Sequence, residues 1–142
     1  MSDDTSRLVE AWKALWNGHY AVADELIAPG LRVHAALMDG GDGSAITDAK
    51  TMVDWIAQLR GPLPELAFEI EVGPIVQGDL LALRWRARGP YGGGFPGADA
   101  PVGTVVDFAG VDLLRVSEGR IVEYWLNSDM LLLLTQLQVK FA

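Results

Sequence analysis

Two aspartates and one histidine in this sequence lie in settings that suit proton transfer. Asp129 lies in "EYWLNSDMLLLLTQ", between a strand-like run and a leucine-rich helix. An acid at a helix start either stabilises the helix dipole as a cap or points into a pocket as a proton-transfer group. His34 lies in the apolar strand "LRVHAAL". There an imidazole is either a satisfied core side chain or a general base, since its pKa lies near neutral pH.

The other aspartate, Asp112, has apolar neighbours on both faces of its predicted strand. By the period of two, Phe108, Gly110 and Leu114 share its face. Burying a carboxylate is costly unless it is hydrogen-bonded, paired or protonated. We therefore expect either a dry site that raises the pKa of Asp112 or a cross-strand pair with an arginine.

Large aromatic side chains recur along the chain and are expected to form most of a cavity wall, because their flat apolar surfaces stack on a flat ligand. Trp85 alternates with Arg84 and Arg86, so the tryptophan face of that strand is predicted to lie inside. The arginines then lie outside, paired with Glu69 and Glu71. The predicted binding set, which includes an amide from the polar break before the last helix, comprises Trp12, Trp16, Trp85, Phe108, Trp125 and Asn127.

Hydrophobic periodicity predicts helices first and strands afterwards. A first helix ends at Asn17-Gly18, a short one covers 22–28, a strand covers 31–37, and Thr47 caps a third helix. Alternating residues then predict strands at 66–72, 80–88, 104–116 and 120–126, and a last helix at 128–137. The stretch "GPYGGGFPGADAP" is predicted to be a mobile loop that borders the cavity as a lid. This order predicts one α+β domain over residues 1–142.

Composition excludes several classes of protein. The formal net charge of −8 argues against nucleic acid or an anionic membrane as a partner, because phosphate binding needs a basic face. There is no cysteine, and the two histidines show no metal-binding spacing, so no metal site is predicted. The polar start is unlike a signal peptide, and no apolar run reaches the roughly 18 residues of a membrane span. A cytoplasmic location is expected.

Two stretches together resemble the SnoaL-like polyketide cyclases of the NTF2-like superfamily: "VEAWKALWNGHYAVADELIAPGLRVHAAL" and "LLALRWRARGPYGGGFPGADAPVGTVVDFAGVDLLRVSEGRIVEYWLNSDMLLLLTQL". The resemblance implies a cone-shaped α+β barrel of the NTF2-like (cystatin-like) type, with a curved antiparallel sheet wrapped around the N-terminal helices. It also implies dimers or larger assemblies. Leu126, where many members carry a polar residue, and the tail "VKFA" depart from the family pattern.

The resemblance also implies roles for individual residues. Asp129 matches an aspartate that acts as acid/base in an intramolecular aldol ring closure, and His34 and Trp85 match positions that line the pocket. Asp112 matches the position at which related ketosteroid isomerases hold a protonated acid. The expected function is thus ring closure of a bulky apolar or polycyclic carbonyl ligand, in which Asp129 moves the proton and His34 or Asp112 assists. Enolate chemistry of this kind requires no cofactor.

Two other functions remain open at the level of the sequence. One is a non-catalytic module that binds a small ligand in the same apolar pocket. The other is an enzyme like the ketosteroid isomerases or dehydratases, in which Asp112 leads. Inward-facing Asp112 and Asp129 would favour an enzyme, and outward or salt-bridged ones a binding module. A homodimer is expected through the apolar outer sheet face formed by Val105, Ala109, Val111 and Leu113.

Overall fold

A five-stranded curved sheet, which does not close on itself, forms the frame of the protein. The computed structural model describes residues 2–140. Met1, Phe141 and Ala142, the last two from the atypical tail, lie outside the described residues. The elements in chain order are α1 (Asp3–Trp16), a 3₁₀ turn (Tyr20–Val22), α2 (Ala23–Leu26), β1 (Ile27–His34), α3 (Ala49–Arg60), β2 (Ala67–Gln77), β3 (Leu80–Pro90), β4 (Val105–Ser117), β5 (Arg120–Ser128) and α4 (Met130–Gln136).

The strand order is β1-β5-β4-β3-β2. The pairs β2–β3, β3–β4 and β4–β5 are antiparallel, and β1 pairs parallel to β5 at one edge. The predicted α+β fold is therefore confirmed, with one parallel edge strand added to the expected antiparallel sheet. Helices α1 and α2, which precede most of the sheet in sequence, contact β2 and β5 respectively, while α4 contacts β4.

The boundary between the second helix and the first strand differs from the prediction. The helix ends at Leu26, and Ile27 begins β1 by pairing with Ile121 of β5. Pro29 and Gly30 lie inside the strand, at the irregularity between its two paired segments. A proline is tolerated here because β1 is an edge strand. Tertiary pairing thus extends the strand across a Pro-Gly step that, by itself, favours a turn.

The cap of α3 is Asp48 and not Thr47. The Asp48 carboxylate accepts a hydrogen bond of 2.9 Å from the backbone N–H of Thr51. In return, the Thr51 hydroxyl accepts one of 3.1 Å from the backbone N–H of Asp48. This reciprocal capping box satisfies two donors that have no partner within the helix.

The two faces of β3 and β4 divide as the alternation predicts. Trp85 is buried on the inner face, and Arg84, Arg86 and Arg88 are exposed on the outer face. Arg84 pairs with Glu71 at 3.3 Å, as expected. The other two arginines lie within ion-pair distance of Asp107 on the neighbouring strand and not of Glu69. The outer face therefore carries the charges, and the inner face meets the helices.

Within residues 2–140, every helix is too short or too polar to traverse a lipid bilayer.

Candidate functional site

A cavity of about 870 Å³ lies between the inner face of the sheet and the helices. Its wall is mainly apolar and is built from α1, α3, α4 and the inward side chains of β2 to β5. The aromatic side chains in this wall are Trp12, Trp16, Trp55, Phe68, Trp85, Phe95, Phe108 and Tyr124. Many of these rings meet edge to face. The ring centroids of Trp12 and Tyr124 are 4.8 Å apart, and those of Trp85 and Phe108 are 5.7 Å apart. Such packing keeps the rings in fixed positions.

Asp112 is the buried carboxylate of this wall, with 3% of its surface exposed. Three donors from three different elements hold it. The indole N–H of Trp12 donates to Oδ2 at 2.9 Å, and that of Trp85 donates to Oδ1 at 2.9 Å. The hydroxyl of Tyr124 also donates to Oδ1, at 2.8 Å. Uncharged donors satisfy the carboxylate without an arginine, so the predicted alternative of an arginine pair is wrong.

Burial raises the pKa of Asp112 to about 6, and the hydrogen bonds from Trp12, Tyr124 and Trp85 act in the opposite direction. The strand register explains the dryness of the site, because Leu83 and Leu126 are the direct neighbours of Asp112 on the two adjoining strands. Burial, assisted by the adjacent Asp112, also raises the pKa of the Tyr124 hydroxyl well above its usual value. Tyr124 therefore stays a donor at neutral pH.

His34 lies on the outer face of the sheet and does not line the cavity, contrary to the expectation from the resemblance. Its Nε2 is 2.7 Å from Oε2 of Glu123, and its side chain is 48% exposed. Arg32 and Arg115 also contact Glu123, at 3.0 and 3.4 Å. The His34 hydrogen bond and these cations lower the pKa of Glu123. Since Leu31, Val33 and Ala35 face inward, the alternation turns His34 outward.

Trp125 and Asn127 also lie on the outer face. The Trp125 ring stacks on His34 with a centroid separation of 5.2 Å, and Arg115 lies 5.7 Å from its centroid. Asn127 is exposed and pairs with the outward-facing Val111. Neither contributes to the cavity wall. Of the predicted binding set, Trp12, Trp16, Trp85 and Phe108 line the cavity and Trp125 and Asn127 do not.

Asp129 is exposed at the N-cap position of α4 and is not part of the cavity wall. Its side chain makes no capping hydrogen bond. Its backbone N–H donates to the carbonyl of Ala109 at 2.9 Å, and its own carbonyl accepts from Leu133 at 3.1 Å. The backbone at this residue thus joins α4 to β4, while the side chain neither caps the helix nor lines the cavity.

Several wall residues were not predicted from the sequence as part of the site. Tyr124 is the most important, because it holds Asp112. Ser128 adds a hydroxyl to the wall, and Trp55 and Phe68 add aromatic surface. The pairing of Asp112 with Leu126 identifies the inward face of β5, since Tyr124 and Ser128 lie two residues to either side.

The Gly/Pro loop between β3 and β4 supplies another part of the wall, through Gly94, Phe95 and Pro96. The Phe95 backbone N–H donates to the Tyr91 hydroxyl at 2.9 Å. Further along, the Ala100 N–H donates to the carbonyl of Leu137 at 3.1 Å, and Ala98 pairs with Val139. The loop and the C-terminal segment therefore form one side of the cavity together.

Within residues 2–140, no three histidine, aspartate or glutamate side chains converge to hold a metal ion.

The chain was compared with known proteins in sequence and in structure. The sequence pattern of the family described as SnoaL-like polyketide cyclase matches residues 6–137. No curated protein matches the chain in sequence.

Solved structures share the fold over nearly the whole chain. IdmH from Streptomyces antibioticus, a candidate polyketide cyclase, is 26% identical with a TM-score of 0.78, over 97% of this chain and 100% of that one. A candidate polyketide cyclase from Acidithiobacillus ferrooxidans is 20% identical with a TM-score of 0.79, over 99% of both chains. AclR from Streptomyces galilaeus, a candidate hydroxylase, is 23% identical with a TM-score of 0.76, over 94% of this chain and 80% of that one. At such identities the last two show the shared fold alone.

Proposed function

Because the chain belongs to the SnoaL-like polyketide cyclase family, we propose that it catalyses an acid/base ring closure of a bulky apolar carbonyl compound bound in the aromatic cavity. The observation that carries this proposal is the buried carboxylate of Asp112 in an otherwise mainly apolar wall. Its pKa of about 6 lets it both accept and return a proton near neutral pH. The many aromatic rings around it suit a flat, polycyclic ligand.

The proposed reaction begins when the ionised Asp112 removes a proton from a carbon next to a carbonyl of the ligand. The resulting enolate carbon forms a bond to a second carbonyl carbon of the same ligand, whose oxygen becomes an alkoxide. The alkoxide then takes the proton back from Asp112. The proton balance closes within the site, so the reaction consumes no cofactor.

The developing enolate oxygen needs a hydrogen-bond donor. Ser128 is suited to this role, because it lines the cavity and pairs with Gly110, two residues from Asp112 on β4. Diagonal neighbours of this kind have Cα atoms roughly 7–8 Å apart, which leaves room for a carbonyl group between them. We assign Ser128 this role in the proposal.

This proposal gives Asp112 the role that the resemblance assigned to Asp129. The exposed position of Asp129 and the outward position of His34 support the change. With Asp112 leading, the site is closest to the ketosteroid isomerase-like alternative, which uses the same enolate chemistry. Both reactions require the same first step, removal of a proton next to a carbonyl.

One observation favours a second candidate, the non-catalytic binding module. Three protein donors already engage the Asp112 carboxylate. A carboxylate whose only task is to satisfy those buried donors would be structural, and the cavity would then bind a ligand without changing it.

The experiment that separates these candidates is deuterium exchange at carbons next to a carbonyl. The protein is mixed in D₂O with a series of fused-ring aromatic ketones that carry a CH₂ group next to the carbonyl. Binding is followed by tryptophan fluorescence, and exchange is followed by mass spectrometry. The proposal expects exchange above the buffer rate with the parent protein and at the buffer rate with Asp112→Asn. Ketones that bind the parent protein without any exchange would support the binding module instead.

We also propose that the protein forms a homodimer through the outer sheet face. Val105 and Val111 on β4 are 51% and 43% exposed, and Ala109 and Leu113 between and beside them are half-buried. An exposed apolar group of this kind on a sheet face is typical of a protein contact. Asp107 lies between Val105 and Ala109 on the same face of β4, so its ion pair with Arg86 would lie within the proposed interface. The ion pair of Arg84 with Glu71 lies beside it on β3 and β2.

A further inference from the structure

Trp85 and Gly110 face each other as direct partners across β3 and β4. A Cβ atom placed on Gly110 would lie 2.2 Å from Cζ2 and 2.7 Å from Cε2 of the Trp85 indole, which is closer than real carbon atoms approach. The backbone of Gly110 belongs to a regular strand, so its conformation does not require glycine. The close approach of the indole therefore explains why a side chain is absent at this position.

From this position the indole reaches the proposed acid/base group. Nε1 of Trp85 donates to Oδ1 of Asp112 at 2.9 Å, and the same oxygen accepts the Tyr124 hydroxyl at 2.8 Å. A carboxylate oxygen offers two lone pairs, so both sites on Oδ1 are occupied. Among residues 2–140, the Trp12 indole N–H, at 2.9 Å, is the one donor to Oδ2, which leaves one acceptor site of that oxygen unused by them.

We infer that Gly110 is a positioning residue of the site: it admits the Trp85 indole, which with Tyr124 saturates Oδ1 of Asp112 and leaves Oδ2 as the oxygen that exchanges a proton with the ligand. The role of Oδ2 toward a ligand rests on the proposed function. The action of Gly110 on Asp112 through Trp85 does not, and it can be measured without any ligand.

A purely structural role is the competing explanation, because an aromatic ring packed over a strand glycine stabilises a sheet by itself. The two explanations differ at Asp112. Loss of the Trp85 hydrogen bond, which favours the ionised carboxylate, raises the pKa of Asp112, whereas a change in sheet packing alone does not.

The surroundings of Asp112 make its titration interpretable. Tyr124 on β5 is the one ionisable side chain hydrogen-bonded to it among residues 2–140, and Trp12 and Trp85 are its partners on α1 and β3. The other ionisable side chains of the cavity wall, Lys13, Asp39 and Glu69, are half-buried or exposed. A Cβ at Gly110 meets Trp85 and none of these three side chains at closest range, and alanine adds no ionisable group.

The test is a ¹³C NMR titration of the Asp112 carboxyl, assigned from its absence in Asp112→Asn, together with the Trp85 indole N–H resonance. In Gly110→Ala the indole must move, so we expect its resonance to shift and the pKa of Asp112 to rise by about one pH unit, the size expected for one hydrogen bond to a charged group. Gly61→Ala is the matched control, because a Cβ there meets no atom closer than 3.5 Å. A folded Gly110→Ala protein in which Asp112 titrates as in the parent overturns the inference.

Trp85→Phe keeps an aromatic ring but removes the N–H. It provides an independent test if Gly110→Ala does not fold. We expect it to raise the pKa of Asp112 as Gly110→Ala does, and an unchanged pKa would overturn the inference. In the double variant, Gly110→Ala should raise the pKa of Asp112 little beyond the value in Trp85→Phe. A full additional rise would show that Gly110 acts by another route, and this result also overturns the inference. If deuterium exchange fails while these shifts appear, the proposed function fails and the positioning role of Gly110 stands.

Discussion

The indole nitrogen of Trp12 on α1 lies 2.9 Å from Oδ2 of Asp112 on β4, in a bond that joins the first helix to the centre of the sheet. Because the two residues are 100 positions apart in sequence, this contact forms only when the first helix packs against β4. The proposed acid/base group is therefore assembled by the fold as a whole, and its properties can be tested through both catalysis and stability.

The two aspartates give opposite predictions for turnover. Asp112→Asn keeps the shape of the side chain but removes the proton-transfer group, so we expect turnover to fall on the order of 10²-fold or more. Asp129→Asn changes an exposed side chain outside the cavity wall, and turnover should stay within about twofold of the parent. Steady-state rates of both variants with a ketone that the parent protein converts check this. A large loss in Asp129→Asn alone would return the acid/base role to that residue.

Asp112 should also make the stability of the protein depend on pH. Its folded-state pKa of about 6 exceeds the ordinary value of 3.8, so the folded state holds this proton more tightly than the unfolded state. The contribution of Asp112 to the free energy of unfolding is fully present below about pH 4 and is lost as the pH rises through about 6. The lost contribution amounts to about 3 kcal/mol at pH 7, from 1.36 kcal/mol for each pKa unit.

Urea unfolding of the parent and of Asp112→Asn between pH 4 and pH 7 measures this effect. The free energy of unfolding of the parent, minus that of Asp112→Asn, should decrease across this range, because the other titrating groups are common to both proteins. A difference that is constant with pH would contradict a raised pKa at Asp112.

Neighbouring residues on β5 provide a test of the cavity as the ligand site. Leu126 lines the cavity, so Leu126→Trp should fill part of its volume and weaken binding of a polycyclic aromatic ketone by about tenfold or more, or about 1.4 kcal/mol. Asn127→Trp introduces the same side chain one residue later on the outer face, where binding should change less than about twofold. Fluorescence titration measures both affinities. Equal affinities in the two variants would place the ligand outside the cavity.

The proposed homodimer can be tested by light scattering at micromolar concentration. The proposed dimer would have twice the 15.3 kDa mass of the chain. Its interface should bury on the order of 1,000 Å² or more, as stable interfaces do. Val111→Glu should shift the mass toward the monomer, because dimer formation would then have to remove a carboxylate from water within the apolar group. Val102→Glu, which makes the same change in the exposed loop between β3 and β4, is the control and should leave the mass unchanged. A monomeric parent protein would refute the dimer.

Strand alternation was sufficient to predict part of the site. It placed Trp85 on the inner face, because arginines alternate with it on β3. On β4, where both faces are apolar, it grouped Phe108 with Asp112 on one face. On β5 the adjacent Tyr124 and Trp125 are both aromatic, so residue type alone does not decide which faces inward. The pairing of Asp112 with Leu126, a long-range register, decides it in favour of Tyr124.

Two predicted catalytic residues, His34 and Asp129, lie outside the cavity wall for different physical reasons. His34 was expected to line the cavity and lies on the outer face. The buried Leu31 and Val33 define the alternation that turns it outward. Asp129 was not predictable, because the direction of a side chain at a strand-to-helix junction depends on how the backbone enters the helix. Its φ and ψ of −76° and 56° belong to neither a helix nor a strand, and the residue is exposed.

One side of the cavity is formed by the Gly/Pro loop together with the C-terminal segment. This arrangement has an evolutionary consequence. The carboxylate and its three donors come from regular elements, where a substitution disturbs helix and sheet packing together. Phe95 and Val139 come from segments that tolerate insertions and exchanges more readily. Descendants of this protein could therefore acquire new ligands by changes in these two segments alone, while inheriting the same buried carboxylate and its donors.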